Sequence, residues 1–462
     1  MSDQPKKMKR RDFLKSATTV GVGSVLGAGL ASACQTAATP AATEAPAVTE
    51  APAAATEAPA QAPTQAPAVV QTTEPIRCVG IFPVSGFIAA DGIEMRNGVV
   101  MAIDEINEQL GGIAGRELQY IEVDDVDSVG DQVTTAFERA IDVEKPDVIF
   151  SGYHLTSGPE FDICANAGVL YYNVNTQKAW TDRYAGDPEK YWSIFQCDPN
   201  DEWYGQGFAH YLNGLVEAGL YTPTSKTAAI IHGDEAYGTS IGKTFEDQIQ
   251  EYGWEIIMNE AITVGNVADW GPLLSQVRDN PPGILFTADY NPADNAAMAK
   301  QWVADPVNCL LYQQYGPSVP EYLELAGDAA NGIIWATVLG FLPDAIGADF
   351  VKRYEAKFGQ TPGFANAPGC YDEVWVWAKA AALAGDAGDY KKVARVTEGN
   401  IHRGVTGSIS FENHGGRCYP WQTNDSSLGQ AHTIFQIQNK QHVLVFPDPY
   451  TTGEYQTPPW FS

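Results

Sequence analysis

The sequence predicts an α/β protein whose main body, residues 76–462, is divided into two lobes. Short apolar runs alternate with amphipathic stretches along this body. This alternation is typical of repeated βαβ units, in which helices cover both faces of a parallel sheet. The body is also too long for one hydrophobic core, because single cores stop growing at about 250–300 residues.

The first βαβ unit shows how the elements are recognised. Residues 78–84 form an apolar run that ends in the turn Ser85-Gly86, which predicts a buried strand. Residues 92–110 carry apolar side chains at the spacing of an amphipathic helix, and Gly111-Gly112 ends it. A second helix is predicted at 129–143, and further strands at 118–123, 148–150, 169–172, 228–231, 284–286 and 333–335. Ligands of such folds bind beyond the carboxyl ends of the strands, so the loops after the strands matter most.

The first 34 residues contain the parts of an export signal. Arg10-Arg11 lies in a basic segment, an apolar run rich in Gly and Ala follows, and small residues precede Cys34. Residues 30–34 resemble the lipobox of bacterial lipoproteins. This implies a twin-arginine signal peptide at 1–33, cleavage before Cys34 and lipid attachment to its thiol. A permanent transmembrane anchor is the alternative, but a spanning helix needs about 20 apolar residues and glycines interrupt this run.

The segment 34–75 predicts a disordered tether between the lipid and the body. It consists almost wholly of Ala, Pro, Thr, Glu and Gln. Such a segment has too few large apolar side chains to offset the entropy of ordering, and its prolines keep it extended. We therefore expect an exported protein on the outer face of the cytoplasmic membrane, periplasmic or extracellular, bound to the membrane through lipid only.

The net charge and the cysteine content of the chain limit the classes of partner and cofactor that it is expected to bind. The formal net charge of −29 disfavours nucleic acid, and also anionic lipid as a partner of the body itself. No pair of cysteines has C-x-x-C spacing, which disfavours a cysteine-built zinc or redox site. In an oxidising exterior, disulfides can form among the cysteines after Cys34, and the sequence leaves their pairing open. These cysteines are Cys78, Cys164, Cys197, Cys309, Cys370 and Cys418.

Several segments, taken in order, resemble the type I periplasmic binding proteins. They are 84–86, 102–107, 111–115, 124–125, 151–152, 168–170, 234–238 and 326–332. Their order and spacing are similar to those of the leucine/isoleucine/valine-binding proteins and of amide- and urea-binding relatives, which serve ABC importers. The resemblance implies two Rossmann-like lobes joined by a hinge of three crossovers, with the ligand held between the lobes.

The resemblance also implies a division of the body. Lobe 1 is expected to comprise 76–196 and 333–406, and lobe 2 is expected to comprise 197–332 and 407–462. The three crossings are expected near 197–200, 331–336 and 406–412.

Ligand contacts are implied in the loops after the strands. Hydroxyl and amide groups there suit a carboxylate or amide oxygen. Tyr237 matches a ligand-facing tyrosine of the family, and Asp201 lies near the acid that holds the α-ammonium in amino-acid binders. Asp91 and Tyr315 depart from the branched-chain pattern, since they replace an aromatic residue and an acid. The implied ligand-binding residues are Ser85, Asp91, Thr156, Ser157, Asn175, Thr176, Asp201, Tyr237, Tyr290 and Tyr315.

Each of these residues has a structural alternative. Thr156 and Ser157 can cap the helix that begins near Pro159, and this is compatible with ligand contact. Tyr237 and Tyr290 can be aromatic residues of the lobe surface. Asp91 can be a solvated surface acid.

The resemblance implies a monomeric solute-binding protein without cofactor, metal or enzymatic activity. Its partners would be a small polar or zwitterionic solute of amino-acid, amide or urea type, and the permease and ATPase subunits of an ABC importer. A sensory subunit of a membrane receptor uses the same fold and stays an alternative. A secreted hydrolase is the third interpretation, because residues 238–242 match G-x-S-x-G. That motif needs its serine directly after a strand, whereas Ser240 is expected in the first turn of a helix.

Overall fold

The computed structural model describes residues 74–156, 158–265, 267–411 and 428–461. Within these residues the body contains a five-stranded sheet, a seven-stranded sheet and a small two-stranded ribbon. The two large sheets form the cores of two lobes, which confirms the predicted α/β fold.

The first lobe is built on an entirely parallel sheet in the order β2-β1-β3-β4-β5. Its strands are β1 (Ile76–Phe82), β2 (Leu118–Asp124), β3 (Val148–Ser151), β4 (Leu170–Asn173) and β5 (Ile194–Gln196). The helices between them are α1 (Ala89–Leu110), α2 (Gly130–Arg139), which continues as a π-helix (Ala140–Glu144), α3 (Pro159–Ala167) and α4 (Lys178–Gly186).

The alternation of side chains along β1 explains why helices cover both faces of this sheet. Cys78 and Phe82 pack into one apolar cluster, whereas Val79 and Ile81 pack into the cluster on the opposite face. Successive side chains of a strand point to opposite faces, so an unbroken apolar run requires cover on both. The following helix α1 ends where the sequence predicts, because Gly111 adopts a positive φ of 68° and its N–H bonds back into the last turn.

The second lobe repeats this strand order as β7-β6-β8-β9-β10. Its helices are α5 (Glu202–Glu217), α6 (Ala236–Glu251), α7 (Gly271–Asp279), α8 (Pro292–Ala304) and α9 (Pro320–Ala326), and 3₁₀ turns span Gly316–Ser318 and Gly327–Ala330. Its parallel strands are β6 (Thr227–Gly233), β7 (Glu255–Ile262), β8 (Ile284–Ala288), β9 (Leu310–Gln313) and β10 (Ile334–Thr337).

The chain then returns to the first lobe and later re-enters the second. The elements that complete the first lobe are α10 (Ala345–Phe358), α11 (Asn366–Ala384), α12 (Tyr390–Glu398), β11 (Ile401–Arg403) and β12 (Ser408–Ser410). Trp377 of α11 contacts Phe150 of β3 with ring centroids 5.5 Å apart, so α11 covers the first sheet. Two antiparallel strands, β13 (Thr433–Gln438) and β14 (Gln441–Phe446), extend the second sheet beyond β10.

The position of β10 corrects the predicted division of the lobes. Ile334 pairs with Tyr312 of β9, and Trp335 pairs with Phe435 of β13, so this strand belongs to the second sheet. Assigning residues 333–337 to lobe 1, with a crossing at 331–336, is therefore wrong. The expected return to lobe 2 at residue 407 is also wrong, because Ile409 of β12 packs in the apolar cluster of the first lobe. A short apolar run predicts a strand but does not indicate which of the two sheets that strand joins. The crossing between β10 and α10 follows the strand, at residues 338–344.

Several predictions fall outside the described residues. These are the signal peptide, most of the tether, Cys34, Ser157 and Cys418. The five described cysteines, Cys78, Cys164, Cys197, Cys309 and Cys370, are buried and free. Among the described helices, none combines the length and the apolar character needed to cross a bilayer.

Candidate functional site

A cavity of about 650 Å³ lies between the two lobes. Most of its lining residues follow the carboxyl ends of strands in both sheets, as expected for a ligand site of an open α/β sheet. Six of the implied ligand-binding residues line this cavity: Thr156, Asn175, Thr176, Tyr237, Tyr290 and Tyr315.

The first lobe contributes two buried hydrogen-bond donors that have no partner among the described residues. Asn175 follows β4 and is 1 % exposed, and its Nδ2 atom is unpaired. Trp180 lies in α4, and its indole Nε1 is unpaired as well. Both residues line the cavity. An unpaired buried donor costs about 1–3 kcal/mol, so a ligand oxygen that reaches these groups removes a penalty that the empty protein carries.

Thr156 lines the cavity but does not cap α3, whose N-cap residue is Gly158 and which has no side-chain cap hydrogen bond. Its Oγ1 accepts a 3.0 Å hydrogen bond from the N–H of Gly158, directly before α3, and donates to the carboxylate of Glu160. The residue therefore braces the start of α3 while it also lines the cavity.

The opposite side of the cavity is formed by Tyr204, Tyr237 and Tyr290 of the second lobe, here called the tyrosine wall. The ring centroids of Tyr204 and Tyr237 are 6.1 Å apart, and those of Tyr237 and Tyr290 are 6.0 Å apart. Both pairs meet at an interplanar angle of 75°. Such edge-to-face contacts add about 0.5–1.5 kcal/mol per pair beyond area burial. Gln314 further fixes the wall by donating a 3.0 Å hydrogen bond to the Tyr237 hydroxyl.

A polar cluster joins the two lobes beside the cavity. The Tyr315 hydroxyl of the second lobe donates a 2.7 Å hydrogen bond to Oδ1 of Asn366, the first residue of α11. It also lies 3.5 Å from Oδ2 of Asp91 in α1, and the Tyr153 hydroxyl donates to the same oxygen. Burial raises the pKa of the Asp91 carboxyl to about 6, although hydrogen bonds from Tyr153, Asn366 and Tyr315 oppose the shift. Asp91 is thus a buried acid that holds two tyrosines of the cavity.

The backbone of Tyr315 is strained. Its φ of 59° is rare for a residue with a side chain, and such conformations cost about 1–3 kcal/mol. The hydrogen bond to Asn366 and the edge contact with the Tyr153 ring, at 6.2 Å, hold the side chain between the lobes. Strain that surrounding contacts maintain is a common feature of ligand sites.

Three of the implied ligand-binding residues, Ser85, Asp91 and Asp201, do not line the cavity. The Ser85 hydroxyl donates a 2.7 Å hydrogen bond to Asp124 in an exposed turn. Asp201 lies in the first crossing, where its Oδ1 accepts bonds from Ser240 of the second lobe at 3.0 Å and from the N–H of Lys178 of the first lobe at 3.4 Å. Burial raises the pKa of Asp201 to about 7. Its contacts are those of a hinge residue.

The sequence interpretation missed six aromatic or amide side chains of the cavity: Phe87, Tyr153, Gln177, Trp180, Tyr204 and Asn366. Tyr153 directly follows the third strand, and the strand-end rule could have found it. Trp180 and Tyr204 lie in helices, where aromatic residues usually pack in the core. Asn366 lies far from the other cavity residues along the chain, so only the tertiary fold brings it there.

Electrostatically, the cavity is neutral to negative. No Lys, Arg or His is found among the described residues that line it, and its acidic residues are Asp234 and Glu235. Glu235 caps α6, because its carboxylate accepts the N–H groups of Tyr237 and Gly238 at 2.6 and 2.8 Å. The part of the chain that the structure describes also contains no cluster of three potential metal ligands.

Comparison with known proteins identifies the family. The family model described as periplasmic binding protein matches residues 75–433, most of the chain. The chain belongs to the periplasmic binding protein family. Members of this family are substrate-binding proteins of transporters and not enzymes, and the family implies an extracytoplasmic location.

Individual relatives agree with this assignment. The binding protein is 26 % identical over 337 residues to a leucine-, isoleucine-, valine-, threonine- and alanine-binding protein of Pseudomonas aeruginosa, and the match covers 72 % of this chain and 84 % of that one. The crystal structure of a candidate branched-chain amino acid ABC transporter from Silicibacter pomeroyi is 34 % identical, with a TM-score of 0.77 over 84 % of this chain and 100 % of that one.

A third relative shows the shared fold. It is the branched-chain amino acid transporter substrate-binding protein of Streptococcus pneumoniae in complex with isoleucine. It is 20 % identical, with a TM-score of 0.66 over 81 % of this chain and 100 % of that one.

The family assignment and the position of Ser240 exclude the hydrolase interpretation. Ser240 lies within α6 and not on a turn directly after a strand. Its hydroxyl donates to Asp201, so it does not form the exposed nucleophile that the G-x-S-x-G motif requires.

Proposed function

We propose that this binding protein captures a small polar or zwitterionic solute, of amino-acid, amide or urea type, and delivers it to an ABC importer. The observation that carries the proposal is the cavity between the lobes, which is lined by two residues of the first lobe that carry unpaired buried donors and by the tyrosine wall of the second. The names of the relatives from Pseudomonas aeruginosa and Silicibacter pomeroyi support an amino-acid solute.

The donors suggest how one end of the solute is held. Asn175 and Trp180 are neutral N–H donors in a largely apolar cavity. A carboxylate or amide oxygen bound there gains hydrogen bonds where water is excluded, and the donors lose their desolvation penalty. The hydroxyl of Thr176, which also lines the cavity, can add a further contact.

Capture is proposed to proceed by closure of the lobes. The solute first binds the loops of the first lobe, and Tyr237, Tyr290 and Tyr315 then complete the site from the second. The bond between Tyr315 and Asn366 belongs to the closed form, because its two ends lie in different lobes. A solute shifts the equilibrium towards closure only by its higher affinity for the closed form.

The proposal includes attachment to the membrane through a lipid on Cys34, with a monomeric body that meets the permease and ATPase subunits of the importer. Replacing Cys34 with Ser tests the anchor. The expected result is release of the chain from the membrane fraction, together with loss of the lipid mass from the N-terminal peptide. A Cys34→Ser protein that stays in the membrane fraction would contradict lipid anchoring.

Solute binding is tested by stripping endogenous ligand from the full chain in denaturant, refolding it, and measuring its thermal shift with amino acids, amides and ureas. A cognate solute should raise the melting temperature in proportion to the logarithm of its concentration above Kd. Asn175→Leu should weaken binding about tenfold, whereas Asn213→Leu, at a residue of α5 that does not line the cavity, should not. If no compound gives a concentration-dependent shift, the proposal is refuted.

A further inference from the structure

The tyrosine wall points to a narrower class of solute, and this inference rests on the proposed solute-binding function. We infer that the cavity binds an N-methylated ammonium zwitterion. Its methylated cation lies against the rings of Tyr237 and Tyr290, which the buried Tyr204 supports through Tyr237, and its carboxylate lies at the donors of Asn175 and Trp180.

The arrangement of the rings suits a methylated cation. Tyr237 meets both Tyr204 and Tyr290 at an interplanar angle of 75°, so neighbouring rings present their faces in different directions. A cation over an aromatic face gains about 0.5–1 kcal/mol at exposed sites and about 2 kcal/mol or more when it is desolvated. Within the described ranges, no Lys or Arg side chain occupies the face of any of these three rings. Burial raises the pKa of all three hydroxyls, so the rings remain neutral phenols.

The carboxylates near the wall are already engaged in hydrogen bonds within the protein, whereas a primary ammonium group has three N–H donors to satisfy. Both carboxylate oxygens of Glu235 already accept backbone N–H groups. Asp234 is exposed and accepts from the Thr263 hydroxyl at 2.9 Å. Asp91 accepts from Tyr153, and Asp201 lies in the hinge crossing. A trimethylated ammonium carries no N–H group and therefore needs none of these acceptors.

The charge and the volume of the cavity agree with an N-methylated ammonium zwitterion as the solute. No positive side chain is present among the described lining residues, whereas the carboxylates of Asp91 and Glu235 lie next to tyrosines of the cavity. Their field attracts a cation, and the cationic end of the ligand lies on that side. The volume of about 650 Å³ falls in the range of cavities that hold drug-sized ligands, so three added methyl groups fit.

Calorimetric titration of the stripped and refolded full chain tests the inference with two matched pairs of probes. The first pair is leucine and N,N,N-trimethylleucine. The second is choline and 3,3-dimethylbutan-1-ol, its neutral carbon analogue. We expect the trimethylated amino acid to bind at least tenfold more tightly than leucine, and choline to bind about tenfold more tightly than the alcohol.

Three other results of these titrations would overturn the inference. Leucine that binds as tightly as its trimethylated form, or more tightly, would overturn the inference and leave the proposed function intact. Equal affinity for choline and the alcohol would show that the rings act only as an apolar surface, and this also overturns it. If none of the four probes binds, the inference fails, while the amide and urea arms of the thermal-shift screen still test the proposed function.

Substitutions in the wall separate a cation contact from simple packing. Tyr290→Leu removes a ring but keeps an apolar side chain, and it should reduce the preference for trimethylleucine over leucine at least fivefold. Tyr290→Phe keeps the ring and should keep the preference. Tyr290 is only partly buried, so both variants should fold, which circular dichroism checks. An unchanged preference in folded Tyr290→Leu and in folded Tyr237→Leu would overturn the inference.

Discussion

The hydroxyl of Tyr315 in the second lobe donates a 2.7 Å hydrogen bond to Oδ1 of Asn366 in the first. Asn366 begins α11, whose apolar face covers the first sheet, whereas Tyr315 follows the end of β9 in the second. The bond therefore connects the two cores directly beside the cavity. Through this bond, closure of the lobes can be coupled to occupancy of the cavity.

Tyr315→Phe should weaken solute binding about fivefold, because it removes one interlobe hydrogen bond worth about 1 kcal/mol. Titration calorimetry with the solute found in the thermal-shift screen measures this loss. Tyr322→Phe is the matched control, since its hydroxyl donates an equally short 2.7 Å bond to Gln313 within the second lobe. That variant should lower stability without changing affinity. Equal affinity losses in the two variants would contradict a special role of the interlobe bond.

Asp91→Asn should change how stability depends on pH. Burial raises the pKa of Asp91 from 3.8 to about 6, so its favourable contribution is complete below pH 3.8 and is lost as the pH rises through about 6. Asparagine has no such loss. The free energy of unfolding of the variant, relative to wild type, should therefore rise by about 1 kcal/mol between pH 5 and pH 8.

Denaturant titrations at the two pH values measure this difference. The charged groups near Asp91 are the carboxylates of Glu94 and Glu321, and its hydroxyl partners are Tyr153 and Tyr315. All of these are retained in the variant, so their own titration largely cancels in the comparison. A relative free energy that stays constant or falls with rising pH would contradict the prediction.

Asp372→Asn should destabilise the segment that leads into the third crossing. The buried Asp372 carboxylate accepts the N–H groups of Val405 and Thr406, both at 2.9 Å, and the Thr406 hydroxyl at 2.7 Å. An amide in its place turns an N–H group towards one of these donors. We expect the free energy of unfolding to fall by about 3 kcal/mol. Asp386→Asn, at an exposed carboxylate that accepts one N–H group from Gly388, should change it by less than about 0.5 kcal/mol.

Gly98→Ala should disturb the packing of α1 against α11. A β-carbon at Gly98 would collide with the carbonyl oxygen of Ala367, and backbone cannot move aside as a flexible side chain can. We expect a loss of about 2 kcal/mol in the free energy of unfolding. Gly186→Ala, at the end of α4 where the new atom meets open space, should have no effect or a small stabilising one. Denaturant titration that finds the two variants equal would refute the close helix approach.

Much of the cavity could be predicted from residues next to strand ends. Asn175 and Thr176 follow β4, Tyr290 follows β8 and Tyr315 follows β9, and all four line the cavity. Their contact with ligand stays a prediction. The strand-end rule works because carboxyl ends of parallel strands meet at one edge of the sheet. Asp201 was implied by the family resemblance and not by this rule, and it lies in the hinge crossing, outside the lining of the cavity.

The sequence by itself determined the fold class, the two-lobed body and the resemblance to the family, because these depend on local apolar periodicity and on short segments in a recognisable order. Only the tertiary structure decided that β10 joins the second sheet, that Asn366 meets Tyr315, and that Asp91 supports two tyrosines. These relations join residues far apart in the chain. They are set by strand pairing and by the packing of whole helices, and a local sequence pattern does not predict either of these.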